Sequence, residues 1–154
     1  MLSDTTRQRI EGLMRRYPQA RSALIPSLRL AQEEAGYLSP EAIADVAGLF
    51  RMHPNEVYDV ASFYTMLYKK PVGRYVVAVC TNISCLLCDS DSIMARIEAR
   101  LGIRPGETTS DRRFTLMEVE CLASCDTAPV VQINDEYHER LTPERLDGIL
   151  DSLA

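Results

Sequence analysis

Apolar positions recur at helical spacing through the first seventy residues and then switch to short β-branched runs. Thr6, Ile10, Leu13, Met14 and Tyr17 line one face of a first helix. Leu24, Ile25, Leu28 and Ala31 line a second, which Gly36 closes as a left-handed residue beyond its end. Pro26 falls inside that stripe and is expected to kink or delay the helix. Ser39-Pro40 reads as an N-cap followed by proline at the first helical position. Ile43, Val46, Ala47 and Phe50 make the third stripe. Pro54 starts a fourth, with Val57, Val60, Ala61 and Tyr64 on one face. Four short amphipathic helices predict a small helical bundle over residues 1–72.

Pro71-Val72-Gly73 punctuates the chain, and the period changes. A strand is expected over about 74–80, then a cysteine-bearing loop. A helix follows over about 90–101, with Ile93, Met94, Ile97 and Leu101 inward, and a turn at Gly102 and Pro105-Gly106. A second strand at about 113–120 leads into a second cysteine loop. A third begins near Pro129 with Val130, Val131 and Ile133, turns at Asn134-Asp135, and returns through Tyr137-His138-Glu139. Thr142-Pro143 caps a last helix that turns Leu146, Ile149, Leu150 and Leu153 inward. The order β-α-β-β-α over residues 73–154 is that of a small α+β sandwich, a thioredoxin-like half. The fold class is therefore α+β, a helical bundle followed by a thioredoxin-like domain.

Composition narrows the function. The chain has 154 residues, nearly half of them apolar, enough for a core without covalent staples. Met1-Leu-Ser-Asp-Thr-Thr-Arg7 contains no apolar run, and no stretch approaches a membrane span. These features predict a reducing, cytosolic-side location, where five cysteines are ligands rather than disulfide partners. Net charge is −5, which argues against nucleic-acid binding. Residues 1–72 carry nine basic and eight acidic side chains, residues 73–154 eight and fourteen. The cysteine-bearing half is thus the acidic half. The plain reading of that excess is a solvated surface; the sharper one is a negative field that disfavours adding an electron to an anionic centre. No G-x-G-x-x-G and no P-loop is present, so no nucleotide site is expected in this chain. His53, before Pro54, reads as a capping residue, and His138 as solvated.

The chemistry lies in the cysteines. Cys80 and Cys85 flank Thr-Asn-Ile-Ser, Cys121 and Cys125 flank Leu-Ala-Ser, and Cys88 lies just past the first pair. Each pair follows a strand, so two strand ends deliver two thiolates each. Four converging thiolates hold a tetrahedral metal or an iron–sulfur cluster. Zinc sites favour C-x₂-C knuckles, and these pairs are wider. Cys85-Leu-Leu-Cys88 has the spacing of a redox dithiol, but that reading leaves Cys80, Cys121 and Cys125 unexplained. Cys80-x₄-Cys85-x₂-Cys88 with a distant fourth cysteine matches plant-type ferredoxin spacing and would leave one of the last pair spare.

Ala61-Ser-Phe-Tyr-Thr-Met66, Cys80-Thr-Asn-Ile-Ser-Cys85, Glu120-Cys-Leu-Ala-Ser-Cys125, and Ala128-Pro-Val130 followed by Asn134-Asp135 carry a resemblance that runs nearly end to end. The chain resembles the small [2Fe–2S] subunit of the NADH-oxidising module of respiratory complex I, the 24 kDa or E subunit family. That family also supplies small subunits to NAD-linked hydrogenases and formate dehydrogenases. The resemblance implies a helical N-terminal domain, a thioredoxin-like ferredoxin domain, and one [2Fe–2S] cluster per chain on Cys80, Cys85, Cys121 and Cys125, with Cys88 left out. It implies an electron-transfer subunit of NADH:quinone oxidoreductase with no catalysis of its own. FMN, NADH and a further cluster would belong to a larger flavoprotein partner, within a complex peripheral to the inner face of the membrane. The alternatives are a hydrogenase or formate dehydrogenase small subunit, or a free thioredoxin-like ferredoxin. Ser62-Phe63-Tyr64 reads as core and cap, and the resemblance adds an interface role.

Two positions depart from the family pattern. Asp89-Ser90 stands where Gly-Ala is usual, and Ala123 stands where Gly is usual in the second loop. If position 123 requires φ > 0, alanine there costs about 1 kcal/mol.

Overall fold

A computed structural model describes residues 1–153. Contacts divide the chain into two units, Met1–Pro71 and Val72 onward.

The first unit is all-helical. Helix α1 spans Asp4–Met14, α2 Leu24–Ala35, α3 Pro40–Phe50 and α4 Pro54–Phe63, with a single 3₁₀ turn at Ala20–Ala23 before α2. The starts are capped by the residues that cap best. Ser3 and Ser39 accept the N–H groups of Thr6 and Ala42, each at 3.2 Å. His53 Nδ1 accepts the Asn55 N–H at 3.2 Å, while Glu56 reaches back to the His53 N–H at 3.1 Å. Gly36 ends α2 at φ 79°. Ile10, Leu28, Leu38, Val46, Val57 and Ala61 fill the core. The segment after α4 is tied to α2 by one side chain. The Gln32 amide donates to Met66 O at 3.0 Å and accepts the Tyr68 N–H at 2.6 Å.

Of the two effects expected of Pro26 the structure shows the delay and no kink, with a 3₁₀ turn before α2 starts at Leu24, and two other expectations for this unit change. Pro26 then lies in the first turn, where no backbone N–H has an intrahelical partner. Tyr17 lies beyond α1 and is exposed. Tyr64 has left α4 at ψ 115°, and Phe63 beside it is 78% exposed, so neither belongs to the core.

The second unit is a four-stranded sheet with helices. Strand β1 spans Tyr75–Cys80, β2 Phe114–Val119, β3 Val131–Ile133 and β4 Glu136–His138, in the order β2-β1-β3-β4. Strands β1 and β2 run parallel from Tyr75↔Phe114 to Cys80↔Val119, and the remaining pairs are antiparallel. Helix α5 spans Ile83–Leu87, α6 Ser90–Leu101 and α7 Pro143–Ser152. Val77, Val79, Ile93, Ile97, Leu116 and Leu146 are the centre of this core. Arg96 and Arg100 join α6 to Asp147 and Asp151 on α7. Helix α5, inside the first cysteine loop, is not anticipated by the apolar pattern, because five residues show no period. Gly73 is required by close approach: a Cβ there would lie 2.8 Å from the backbone of Arg113 and Phe114. Among the described residues no helix is long and apolar enough to cross a membrane.

Candidate metal centre

The parallel pairing of β1 with β2 brings both cysteine loops to one edge of the sheet. Cys80 is the last residue of β1 and lies in register with Val119, the last of β2. Beyond these ends Thr81 donates from N and Oγ1 to the Val119 carbonyl, at 3.0 and 3.3 Å. The first loop folds at once into α5, which carries Cys85. The second runs from Glu120 into a short 3₁₀ turn, Cys125–Thr127. Turn and α5 are in contact.

The four thiols fall into two pairs of contrasting exposure. Cys80 and Cys85 are 2% and 1% exposed and pack with Val130, Leu122 and Ala128. Cys121 and Cys125 are exposed, with their sulfurs 3.8 Å apart. The Cys121 and Cys125 sulfurs lie within hydrogen-bonding distance of each other, while Cys80 and Cys85 share one buried cluster. Among the described residues no three His, Cys, Asp or Glu side chains gather as they would round a single ion. Two pairs side by side suit a two-iron object, in which each iron takes two thiolates.

Electrostatics and hydrogen bonds support that fit. Burial, with the neighbouring Cys80, pushes the Cys85 thiol up to about 11. The neighbouring Cys121 raises the Cys125 thiol too. Protons therefore sit where positive charge is wanted, and a cation displaces them. One backbone N–H already points at sulfur: Ala123 N–H donates to Cys121 Sγ at 3.2 Å. The Val130 backbone acts against the rise of the Cys85 thiol, and the Ser84 hydroxyl against that of Cys125. Val130 leads into β3, the strand paired with β1 on the side away from β2.

Ala123 sits at φ 57°, so the position does require the left-handed region. Asp89 sits at φ 67°, and the Ser90 hydroxyl behind it is buried with no hydrogen-bond partner. Both departures from the family pattern thus fall where a side chain costs something. Cys88 caps the end of α5 and is exposed, with its N–H on the Cys85 carbonyl at 3.1 Å. His53 is a cap, as expected, and His138 lies on β4. The exposed apolar side chains Ile83, Leu86 and Leu87 crowd α5, with Leu87 80% exposed. Nothing in the sequence pattern distinguishes them from core.

Comparison with known proteins agrees with this geometry. The description "Thioredoxin-like [2Fe-2S] ferredoxin" matches residues 10–154. An E-type subunit of the NADH-quinone oxidoreductase of Rhizobium meliloti, the one numbered 2, is 45% identical over 148 residues, covering 96% of this chain and 88% of that one. The E-type subunit of the Rickettsia bellii NADH-quinone oxidoreductase is 47% identical over 146 residues, covering 93% and 87%. The crystal structure of an air-oxidised NAD⁺-reducing [NiFe]-hydrogenase superposes with a TM-score of 0.72 at 25% identity, covering 82% of this chain and 22% of the hydrogenase chain. The family resemblance carried by the cysteine motifs therefore holds over nearly the whole length, and the chain belongs to the thioredoxin-like [2Fe-2S] ferredoxin family.

Proposed function

We propose that this chain is an electron-transfer subunit that holds one [2Fe–2S] cluster on Cys80, Cys85, Cys121 and Cys125. The observation that carries the reading is the delivery of two thiol pairs, one buried and one exposed, beyond the ends of adjacent parallel strands. Such a cluster supplies reversible one-electron transfer when bound. The residues of the chain do the rest. Cys80 and Cys85 hold the inner side and exclude water by burial. Cys121 and Cys125 present the outer side to whatever docks there. Ala123 stabilises sulfur charge through its N–H group, whereas the exposed carboxylates of Glu120 and Asp126 oppose added electrons.

The partner in this reading is a larger flavoprotein that binds FMN and NADH and carries its own cluster. Hydride chemistry stays with that partner, and the isolated chain has no catalytic activity. The parent assembly is NADH:quinone oxidoreductase, peripheral to the inner face of the membrane. Identities of 45% and 47% to the Rhizobium and Rickettsia subunits over most of their length favour it. A second reading, the equivalent segment of an NAD-linked hydrogenase, is favoured by the structural likeness to the NAD⁺-reducing enzyme. The exposed Ile83, Leu86 and Leu87 beside the thiol loops supply apolar surface that a partner would cover.

Anaerobic purification of the chain tests the site, and co-purification from the native source tests the assembly. Two irons and two acid-labile sulfides per chain are expected, with a flavoprotein retained. Stoichiometric zinc overturns the site. Saturable micromolar binding of NADH to the isolated chain overturns the division of labour.

A further inference from the structure

The exposed cysteine loop is anchored by Leu122, which packs against the buried cysteine cluster, and one carboxylate from outside the loop adds a polar restraint. Glu139 directly follows β4. Its Oε1 accepts the Ser124 hydroxyl, and also the Thr127 hydroxyl at 2.9 Å. These two hydroxyls bracket Cys125, one directly before it and one two residues after. They lie 2.7 Å from each other, and Thr127 Oγ1 also lies 3.0 Å from the Ser124 carbonyl.

The proton count makes the carboxylate central. Two hydroxyls bring two protons, and an ionised carboxylate brings none. Oε1 can accept both protons, with the Ser124 carbonyl a second acceptor in reach of the Thr127 hydroxyl. The Ser124 hydroxyl and then the Thr127 hydroxyl hold Glu139 below the usual carboxylate range, so its charge is present at neutral pH. The backbone repeats the tie. Arg140 N–H donates to Thr127 O at 2.8 Å, and Leu141 N–H to Pro129 O at 3.2 Å. Arg145 of α7 in turn holds the carbonyls of Glu139 and Arg140, at 3.1 and 2.8 Å. The path from α7 through the 139–141 turn to the second cysteine loop is continuous.

We infer that Glu139 is a positioning residue for the thiol site: it fixes the loop around Cys125 through Ser124 and Thr127, and it sets a permanent negative charge beside that loop which disfavours reduction of the centre. The inference rests on the ligand reading proposed above. An ordinary turn carboxylate would hold the loop but leave the potential alone, and that difference can be measured.

The experiment compares the loaded, anaerobically isolated wild-type protein with Glu139→Gln and Glu139→Ala. Gln keeps an oxygen that can accept both hydroxyls and removes only the charge. Glu139→Gln is expected to keep full iron and an unchanged visible spectrum. At a fixed ambient potential its reduced-to-oxidised ratio is expected to rise about threefold to tenfold, which at 59 mV per tenfold is about 30–60 mV. Glu139→Ala, which also frees the loop, is expected to lose iron to a chelator several-fold faster than either. A Gln variant whose ratio matches wild type overturns the inference while leaving the ligand reading intact. Wild-type protein that carries no iron and sulfide overturns the ligand reading, and this inference with it.

Discussion

Cys80 and Cys85 are held by packing, whereas Cys121 and Cys125 are held by hydrogen bonds. The first pair ends a central strand and enters a helix, buried against Val130, Leu122 and Ala128. The second pair lies on an exposed loop whose shape depends on a left-handed Ala123, the Ala123 N–H on Cys121, and the Ser124–Thr127–Glu139 network. The two halves face the same edge and offer the same chemistry, yet they differ in what a change should do to them. On the proposed ligand set the packed half would fix and shield the site, and the polar half is where local opening should be cheapest and where potential and access would be adjusted.

The largest expected effects break this comparison into its halves. Cys85→Ser should lose the cluster and also lower the stability of the metal-free chain by about 1–3 kcal/mol, since a hydroxyl is buried in an apolar setting. Cys121→Ser and Cys125→Ser should lose the cluster, or strongly alter its EPR signal, while metal-free stability stays within about 0.5 kcal/mol. Denaturant melts of the metal-free proteins, with iron analysis of the loaded ones, check both. Cys88→Ser should keep full iron with at most a modest shift in potential. Bleaching by Cys88→Ser, with colour retained in Cys121→Ser or Cys125→Ser, would show that the first loop supplies three ligands and the pairing is wrong.

Much of this site is legible in the sequence, and the reason is local. The helical stripes, the Ser39 and His53 caps and the Gly36 stop depend on neighbours within a turn. The cysteine pairs can be assigned to strand ends because each follows a β-branched run. What cannot be read is what depends on distant partners. Val130 shares a buried cluster with Cys85 across 45 positions, and the Glu139 carboxylate reaches Ser124 across 15. The exposure contrast between the pairs has no sequence signature, because Leu86 and Leu87 look like core yet face solvent. Tyr64 misleads in the same way: the helical period continues for one residue after the backbone has left the helix.

A smaller effect sharpens the packed half. Ser90 is 1% exposed at the start of α6, and its hydroxyl has no hydrogen-bond partner. Removing the hydroxyl leaves nothing unsatisfied, so Ser90→Ala should raise stability by about 1 kcal/mol. A urea melt with unchanged slope and a higher midpoint is the expected result. A loss of stability instead would mean that the hydroxyl has a partner in the loaded protein.

The smallest effects come from making one substitution in both loops. Ala123 and Asp89 both occupy the left-handed region, at φ 57° and 67°. Glycine relieves about 1–2 kcal/mol of strain at such a position and returns part of it through the freer unfolded chain. For Ala123→Gly the net gain should be about 0.5–1 kcal/mol, because alanine has no compensating contact. For Asp89→Gly the net should be near zero. Aspartate tolerates this region better than alanine does, and the Asp89 carboxylate accepts the Ser92 hydroxyl at 2.8 Å, a bond that glycine deletes. Paired melts of the two single variants decide the point. Equal gains would show that the Asp89–Ser92 bond contributes nothing and that the two loops carry the same strain. A gain confined to Ala123→Gly would place the uncompensated strain in the exposed, hydrogen-bonded loop, where a small change in backbone energy is free to act on Cys121 and Cys125.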